Sequence, residues 1–524
     1  MMPEFSRSTF WAISLAVLAM LLIALTLVLV MSDVKNVDGP KPVEKADVGK
    51  LIPEIASHTD ELTGFSFTDV TDQTGVDFTY YGNPSPKHYM TEQNGGGVSL
   101  LDIDADGQLD LYFSNGSHFD APALDAAASH RCYRCIGEWT YEDVTQASGL
   151  QAFGFGMGTA AADYDNDGFV DLFVCCYGRN RLWRNNGDGT YSETTDACSV
   201  GDSHWAASAA FADLNGDGNL DLYVVNYVDY DESDPNCFTQ HTPPIHISCG
   251  PIGRRGQADI LYQNSGDGSF VDVSEAAGVA IAERGKGLAV EIVDLDSDGL
   301  LDVYVANDTT ANFLFRNLGN MQFEEVALLM NVAVGDDGAA QSGMGIACAD
   351  YNADGRFDLF VTNFEGAVND IYENLGDVGF RSRNFDMGLD TTSRPRLAFG
   401  TVFADFDLDQ WPDLFIANGH IWDLTPLKMG HEYQMQPQVF RNQNGRRFAD
   451  VSSKSGSYFE SKWLGRAVAT GDLDNDGDAD LVVGQLLNPS RILRNDSDHI
   501  GGSMRLQLVG TTAARQSSGI RVEA

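Results

Sequence analysis

One nine-residue pattern occurs seven times along the chain and constrains its fold more than any other feature. The pattern is Asp-x-Asp/Asn-x-Asp-Gly-x-x-Asp, and a β-rich run that starts with Leu or Val follows each copy. The first positions of successive copies lie 61, 50, 81, 56, 55 and 67 residues apart. Internal repetition at this scale indicates one repeat architecture instead of several unrelated domains.

Each copy supplies oxygen-bearing side chains at positions one, three, five and nine. These candidate metal ligands are Asp102, Asp104, Asp106 and Asp110; Asp163, Asp165, Asp167 and Asp171; Asp213, Asn215, Asp217 and Asp221; Asp294, Asp296, Asp298 and Asp302; Asp350, Asn352, Asp354 and Asp358; Asp405, Asp407, Asp409 and Asp413; and Asp472, Asp474, Asp476 and Asp480.

The spacing of these ligands is that of a calcium-binding loop. Side chains at alternate positions of a tight loop converge on one point, the Gly at position six permits a sharp turn, and a backbone carbonyl adds a further oxygen. In the EF-hand the closing acid stands at position twelve and a helix follows, whereas here it stands at position nine and a strand follows. Asp-Gly turns also occur without metal, but seven copies with four ligands each favour up to seven structural Ca²⁺ ions.

The segments around each loop indicate four short strands per repeat. In the second repeat a small apolar run, Gly158–Ala162, precedes the loop, Leu172–Val174 follows it, and Leu182–Asn185 comes next. Four-stranded repeats are the blades of a β-propeller, so we expect an all-β, seven-bladed propeller over 63–500. The run Phe67–Thr71 resembles the last strand of a repeat, and we expect it to complete the blade built from 465–496.

These motifs resemble the FG-GAP or VCBS repeat family, which includes the integrin α-subunit head, and most closely the cartilage-acidic-protein group. The seven loops carry the resemblance, together with Gly156–Gly158, Gly343–Gly345 and Arg184–Tyr191. It implies a calcium-stabilised propeller used for adhesion or partner binding, without agreed catalytic residues. Residues 501–524 resemble the start of a truncated ASPIC-type domain, and 229–259 form an insertion in the longest interval between loops.

Three loops depart from the pattern. The sixth has Gln410 where the others have Gly, and a non-Gly residue in a left-handed turn is strained, so we expect this site to be the weakest. In the third and fifth loops Asn215 and Asn352 replace a carboxylate, which keeps an oxygen ligand but removes a charge.

The N-terminus contains the longest apolar segment of the chain. After a short flank, 1–9, an uncharged run over 10–31 is long enough to span a membrane as a helix. We interpret it as an uncleaved signal anchor, and a cleaved signal peptide is the alternative. Residues 32–62 read as a flexible tether. The propeller is then expected on the extracytoplasmic side, in the periplasm or at the cell surface.

Acidic residues dominate the charge of the chain. With 33 Lys plus Arg against 76 Asp plus Glu, the formal charge is −43, which argues against nucleic acid as a partner. The loops place 26 Asp at ligand positions, about a third of all acids. Seven Ca²⁺ ions would bring the charge to −29, so self-repulsion should be largest without metal.

Eight cysteines in an exported chain predict disulfides. We expect Cys237 to pair with Cys249 inside the insertion, and a metal site that adds His241 and His246 is the alternative. The remaining expectations are a local disulfide between Cys132 and Cys135 in preference to a redox centre, a bond from Cys175 or Cys176 to Cys198, and a buried thiol at Cys348.

The function expected from these features is that of an adhesion or interaction module for a protein or polysaccharide. No nucleophile motif stands out, and nearly all acid pairs are accounted for as metal ligands. The competing class is a calcium-stabilised carbohydrate-active enzyme, with His420, Trp422 and the 229–259 insertion as the place to look for its active site. A transport or assembly factor held near a membrane complex is a third possibility.

Overall fold

The computed structural model describes residues 63–82, 85–119, 126–231, 233, 236–282, 284–427, 430–498 and 500–503. They belong to one compact unit that begins at Thr63. The predicted signal anchor at 10–31, the tether at 32–62 and the ASPIC-like segment beyond residue 503 lie outside the described residues. Within the described part of the chain, no helix is long and apolar enough to cross a membrane.

Seven four-stranded antiparallel sheets form the described fold. In chain order, and from the innermost strand outward, they are blade 1, β2 (Val98–Leu101), β3 (Asp110–Phe113), β4 (Arg131–Gly137) and β5 (Thr140–Asp143); blade 2, β6 (Phe155–Ala162), β7 (Asp171–Tyr177), β8 (Arg181–Asn185) and β9 (Tyr191–Glu193); blade 3, β10 (Ala206–Ala212), β11 (Asp221–Asn226), β14 (Ile260–Asn264) and β15 (Phe270–Asp272); blade 4, β16 (Gly287–Val293), β17 (Asp302–Asn307), β18 (Phe313–Asn317) and β19 (Phe323–Glu325); blade 5, β20 (Ile346–Ala349), β21 (Asp358–Val361), β22 (Asp370–Asn374) and β23 (Phe380–Ser382); blade 6, β24 (Ala398–Ala404), β25 (Asp413–Asn418), β26 (Gln438–Asn442) and β27 (Phe448–Asp450); and blade 7, β28 (Gly465–Gly471), β29 (Asp480–Gln485), β30 (Arg491–Asn495) and β1 (Phe67–Asp69).

The sheets form a closed ring. The innermost strands contact one another in chain order, and β28 of blade 7 contacts β2 of blade 1. Blade 7 takes its outermost strand from the other end of the described chain, because β1 pairs with β30 in the register Phe67 with Asn495. The predicted seven-bladed propeller, and its closure by the run that starts at Phe67, are both confirmed.

Small residues let the innermost strands approach closely. A Cβ atom placed on Gly158 would lie 2.6 Å from the carbonyl oxygen of Ala207 in the next blade, and one on Gly345 would lie 2.3 Å from that of Phe399. Both distances are shorter than van der Waals contact, so only Gly fits. This explains the small apolar runs that precede the loops.

The hydrophobic cores lie between neighbouring blades. Tyr112 of blade 1 packs in one cluster with Leu172 and Trp183 of blade 2, and Tyr223 of blade 3 packs in another with Phe315 of blade 4. Each blade is therefore stabilised mainly by its two neighbours, as expected for a repeat fold.

Short helical turns lie in the connections between strands, some between successive blades and others within one blade. The described α-helices are Thr71–Thr74, Ser274–Ala277, Asp390–Ser393 and Ser457–Glu460, and the described 3-10 turns are Met90–Glu92, Ala126–Ala128, Gly376–Val378, Thr425–Leu427 and Ser452–Lys454. Between β11 and β14 the insertion forms a small hairpin of β12 (Cys237–Phe238) and β13 (His246–Ile247).

Candidate metal centres

All seven repeated loops occupy the same place in their blades. Each joins the innermost strand to the second strand, and the Asp at position nine is the first residue of that second strand. The ligand side chains are thus fixed at one end to a buried strand, and the rest of the loop is free to fold around them.

Three carboxylates converge in five of the loops. One oxygen from each of three acids lies within 4.8 Å of the other two. The groups are Asp102, Asp104 and Asp110; Asp163, Asp165 and Asp171; Asp294, Asp296 and Asp302; Asp405, Asp407 and Asp413; and Asp472, Asp474 and Asp480. These groups bring together positions one, three and nine of the pattern.

The third and fifth loops share the same backbone turn. In the first loop, the Asp102 carboxylate accepts hydrogen bonds from the amides of positions five and six, at 3.0 and 2.8 Å. In the third loop, Asp213 accepts the corresponding pair at 3.1 and 2.9 Å, and in the fifth loop Asp350 accepts it at 3.0 and 2.7 Å. The Asn at position three therefore changes a ligand but not the loop conformation.

The carboxylate at position nine also holds the blade together. In the first loop, Asp110 accepts the amide of Ile103 at 2.8 Å with one oxygen and the amide of Cys135 in the third strand at 2.7 Å with the other. Burial raises the pKa of Asp110 to about 7 and that of its counterpart Asp413 to about 9. A cation in the loop would oppose this effect by stabilising the charged form.

Buried oxygen atoms test whether these loops fit a cation. Asp104 Oδ1, Asp358 Oδ2 and Asp472 Oδ1 are buried and accept no hydrogen bond from the described residues. A buried carboxylate oxygen without a partner is costly. A hard cation such as Ca²⁺ satisfies oxygens of this kind, so the donor set fits the ion implied by the sequence.

The sixth loop differs from the others in its geometry as well as in its sequence. Gln410 has a φ of 75°, in the left-handed region that the other loops fill with Gly. The guanidinium of Arg441 lies 3.0 Å from Asp407, whose side chain is buried. A protein cation therefore balances one predicted ligand in this loop, as Arg134 does for Asp104 in the first loop at 3.8 Å, and the sequence pattern indicated neither pair.

The seventh loop contains one acid that the sequence pattern did not single out. Asp478, at position seven, is 3% exposed, and burial together with the neighbouring acids raises its pKa to about 8. A third carboxylate besides Asp474 and Asp476 therefore stands between positions one and nine. The signal for it is visible in the sequence, where only this copy has an acid at position seven.

The cysteines follow the predictions in one case. Cys237 and Cys249 form a disulfide with a Cα–Cα distance of 5.2 Å, which confirms that pairing and overturns the alternative metal site with His241 and His246. Cys132 and Cys135 are free thiols, and the prediction of a bond between them is wrong. Both lie in β4, where residues three apart point to opposite faces of the sheet.

The predicted bond to Cys198 is also wrong. Cys175, Cys176 and Cys198 are all free. Cys198 lies 3.5 Å from the hydroxyl of Tyr164, and Cys176 packs in a different hydrophobic cluster from Cys175 and Cys198. Cys348 is free as expected, but it is half-buried.

The residues considered for an active site do come together. Trp422 donates its indole N–H to the carbonyl oxygen and the hydroxyl of Ser248 in the insertion, both at 3.1 Å. Next to it, His420 Nε2 lies 3.3 Å from Glu365, and His431 Nδ1 lies 3.2 Å from the same carboxylate oxygen. Burial lowers the pKa of His420. Glu365 and His431 were not expected at this site from the sequence.

Comparisons with known proteins agree with the fold and its repeats. The FG-GAP-like repeat family matches residues 163–224, 251–305, 294–361 and 405–483. Cartilage acidic protein 1 of Mus musculus is 29% identical over 215 residues, and that of Homo sapiens is 28% identical over 215 residues. Each match covers 40% of this chain and 30% of the relative, so the chain spans about a third of the length of these relatives.

Among solved structures, an Agrocybe aegerita lectin described as recognising non-reducing terminal N-acetylglucosamine covers 70% of this chain and 81% of its own, with 18% identity and a TM-score of 0.41. The family match and the two relatives agree with the motifs from which the resemblance was inferred. The chain therefore forms a seven-bladed propeller that contains FG-GAP-like repeats over the matched residues, and it is similar to cartilage acidic protein 1.

Proposed function

We propose that this chain is a calcium-binding β-propeller that acts outside the cytoplasm as an interaction module for a protein or polysaccharide. The observation that supports this most directly is the convergence of three carboxylates in five loops. In the first and seventh loops, Asp104 Oδ1 and Asp472 Oδ1 are buried and accept no hydrogen bond from the described residues. In each loop the side chains of positions one, three, five and nine would hold the ion. Ca²⁺ takes six to eight such oxygen ligands.

The ion's role in this proposal is structural. A bound Ca²⁺ supplies two positive charges where the acids are densest. The loop side chains would hold it against the position-nine carboxylate, which already accepts backbone amides from position two of its own loop and from the third strand, as Asp110 does from Ile103 and Cys135. Because the folded loop binds the ion and the unfolded chain does not, calcium should stabilise the propeller by mass action.

Terbium luminescence tests metal binding at one identified loop. The indole N–H of Trp139 donates a hydrogen bond to Asp474 at 3.0 Å, so Trp139 can sensitise Tb³⁺ bound in the seventh loop. We expect tryptophan-sensitised Tb³⁺ emission, and we expect it to fall when Ca²⁺ displaces Tb³⁺. Trp139→Phe and Asp472→Asn should each reduce the emission. Emission that neither variant changes would count against a metal in this loop. A glycan array probed with and without calcium then tests the polysaccharide arm.

The proposed location rests on the sequence and on the disulfide. The 10–31 segment would anchor the chain in the membrane, and the Cys237–Cys249 bond is typical of proteins outside the cytoplasm. We expect the protein to stay in the membrane fraction after alkaline carbonate extraction. We also expect protease added to intact cells to cleave the propeller. Release into the soluble fraction would favour a cleaved signal peptide.

A carbohydrate-active enzyme is the second candidate, because Glu365 lies between two histidines beside Trp422 and the insertion. Glycoside hydrolysis uses a pair of carboxyl groups, of which Glu365 would supply one. This candidate predicts that the protein hydrolyses a polysaccharide in a test panel and so releases new reducing ends. It also predicts that Glu365→Gln abolishes this release. Equal release by the wild type and the variant would exclude Glu365 as its catalytic acid.

A further inference from the structure

A sizeable cavity lies at one mouth of the central channel. Its volume is about 700 Å³, which is within the range of small-molecule sites. Asn94, Leu288, Met344 and Phe399 line both this cavity and the channel below it. The insertion contributes another wall with its disulfide, so the cavity is formed by segments that are far apart in the chain.

The wall of the cavity is largely aliphatic and aromatic. Its apolar side chains include Ile247, Leu288, Met344, Phe364, Phe399 and Trp422. The indole N–H of Trp422 is already bonded to Ser248, which leaves mainly apolar surface on that side chain. A neutral sugar needs a polar partner for each hydroxyl that it buries. These residues favour a ligand with an apolar body over a neutral saccharide.

One acid in the wall is already compensated. Asp308 accepts the hydroxyl of Tyr227 at 2.6 Å and interacts electrostatically with the ammonium of Lys286. That ammonium donates to Pro251 at 2.9 Å and to Thr309 at 3.1 Å, and both of these residues line the cavity. Asp308 and Lys286 therefore form a nearly neutral pair at the wall.

The remaining charges of the described wall are mainly positive. Arg254 and Arg255 line the cavity, and Asp229 is the only other described acid in it. Behind the wall, the guanidinium of Arg466 lies 4.1 Å from the ring centroid of Phe399. Its hydrogen bonds go to backbone carbonyls, among them those of Gln93 and His420. Apart from the Asp308–Lys286 pair, the described wall therefore has two basic side chains against one acidic side chain, in a chain of net charge −43.

We infer that this cavity binds an amphipathic carboxylate, a small molecule with an apolar body and one carboxylate group. The apolar body lies between Phe399 and Trp422. The carboxylate faces Arg255, because the guanidinium of Arg254 already lies over the ring of Tyr230, 5.1 Å from its centroid. Guanidinium groups bind carboxylates through charge-assisted hydrogen bonds. The inference rests on the proposed interaction role, because it names a ligand class for one face of the propeller.

Three probes of equal length separate the contributions of charge and apolar surface. Titration calorimetry with the full chain compares octanoate, octanol and octylamine. We expect octanoate to bind about ten-fold more tightly than octanol, as one charge-assisted hydrogen bond would give, and octylamine to bind least. Equal affinities for octanoate and octanol, or no binding of octanoate, would overturn the inference.

A charge reversal locates the effect. Arg255 is exposed and lines the cavity, so Arg255→Glu should remove the preference for octanoate and leave the thermal unfolding unchanged. Arg446→Glu is the matched control, because Arg446 is equally exposed and lies in a turn between β26 and β27, away from the cavity. Any apolar binding to the N-terminal segment is common to all three proteins. A loss of preference in both variants would overturn the assignment to this cavity.

The test is independent of metal binding. The titrations are repeated in calcium and in EDTA, beside melting curves of the same samples. Calcium-dependent melting without octanoate binding overturns the cavity ligand alone. Octanoate binding with calcium-independent melting supports the cavity ligand and removes the structural role proposed for calcium.

Discussion

The side-chain amide of Asn317 at the end of β18 donates a hydrogen bond to the carbonyl oxygen of Leu214, 2.9 Å away in the Asp-rich loop of the preceding blade. The same bond occurs at six of the seven blade junctions. The other five pairs are Asn185 with Ile103, Asn264 with Tyr164, Asn374 with Leu295, Asn442 with Tyr351, and Asn495 with Phe406. The backbone amide of the same Asn bonds the position-nine Asp of its own blade, at 2.9 Å for Asn317 and Asp302.

The junction between blades 7 and 1 is the exception. Cys135 stands where the other blades have Asn, and it cannot make the bond. Trp139 of blade 1 donates instead to Asp474 of the seventh loop. β1 belongs to blade 7 and leads along the chain to β2 of blade 1, so the ring is closed within blade 7, by the pairing of β1 with β30.

Removing one Asn side chain should weaken the junction between two blades. Asn317→Ala leaves the buried carbonyl of Leu214 without its donor and also removes the side chain's bonds with Leu301 and Gly319 in its own blade. We expect a loss of about 1–3 kcal/mol in the free energy of unfolding. Asn186→Ala is the control, because Asn186 is exposed and its side chain bonds only within its own turn, to Thr190 and Ser192. Urea unfolding checks both variants. Equal losses would mean that the bond between blades contributes nothing specific.

The strained residue of the sixth loop gives a second prediction. Gln410→Gly should relieve backbone strain and so stabilise the folded protein by about 1 kcal/mol. The higher conformational entropy of Gly in the unfolded chain offsets part of this gain. It should also raise calcium affinity at this loop. Gly299→Gln in the fourth loop is the reverse change, at a φ of 89° where an added Cβ meets no atom within 4 Å. If both changes shift stability in the same direction, backbone strain is not the cause.

Glu291 in β16 predicts a pH dependence. Burial raises its pKa from 4.5 to about 7, so the folded state holds a proton that the unfolded state releases. This proton contributes its full stabilisation at pH values below the pKa of Glu291 in the unfolded state. The contribution is lost as the pH rises through the pKa of Glu291 in the folded state. The melting temperature of Glu291→Gln should therefore equal that of the wild type at about pH 5 and exceed it at about pH 8. A constant difference at both pH values would contradict this cause.

The disulfide should act locally. Replacing Cys237 and Cys249 together by Ser removes a disulfide between residues that are 12 apart in the sequence. A disulfide that closes a loop of this length stabilises the folded state by about 3 kcal/mol. We expect faster amide exchange at Thr239, whose N–H bonds Ile245 at 2.9 Å, and weaker octanoate binding. Amides of the central strand β17 serve as the internal control. Unchanged exchange at Thr239 would show that packing holds the hairpin without the disulfide.

The sequence was sufficient for features that depend on local pattern. The loop spacing, the small inner strands and the strand at Phe67 all recur with the repeat, so each copy supported the interpretation of the others. The Asn at the end of the third strand was equally visible, but its role depends on a partner in the preceding blade, such as Leu214 for Asn317. No local pattern identifies that carbonyl.

Features made by distant segments were missed or predicted wrongly. Glu365 and His431 join His420 through blades 5 and 6, and nothing in their neighbourhood in sequence indicates the contact. The Cys132–Cys135 prediction relied on spacing alone, and the extended strand separates the two thiols. The cavity depends on an insertion whose position over the channel mouth is set by tertiary packing.

The thermal unfolding of the full chain, measured in excess EDTA and again at increasing free calcium, tests the central claim most directly. If the seven loops bind Ca²⁺ in the folded state, the melting temperature rises with the logarithm of free calcium, and EDTA reverses the rise. Asp302→Asn, which weakens one loop, should reduce the rise without abolishing it. A melting temperature that is the same in EDTA and in saturating calcium would contradict the claim that calcium holds this propeller together.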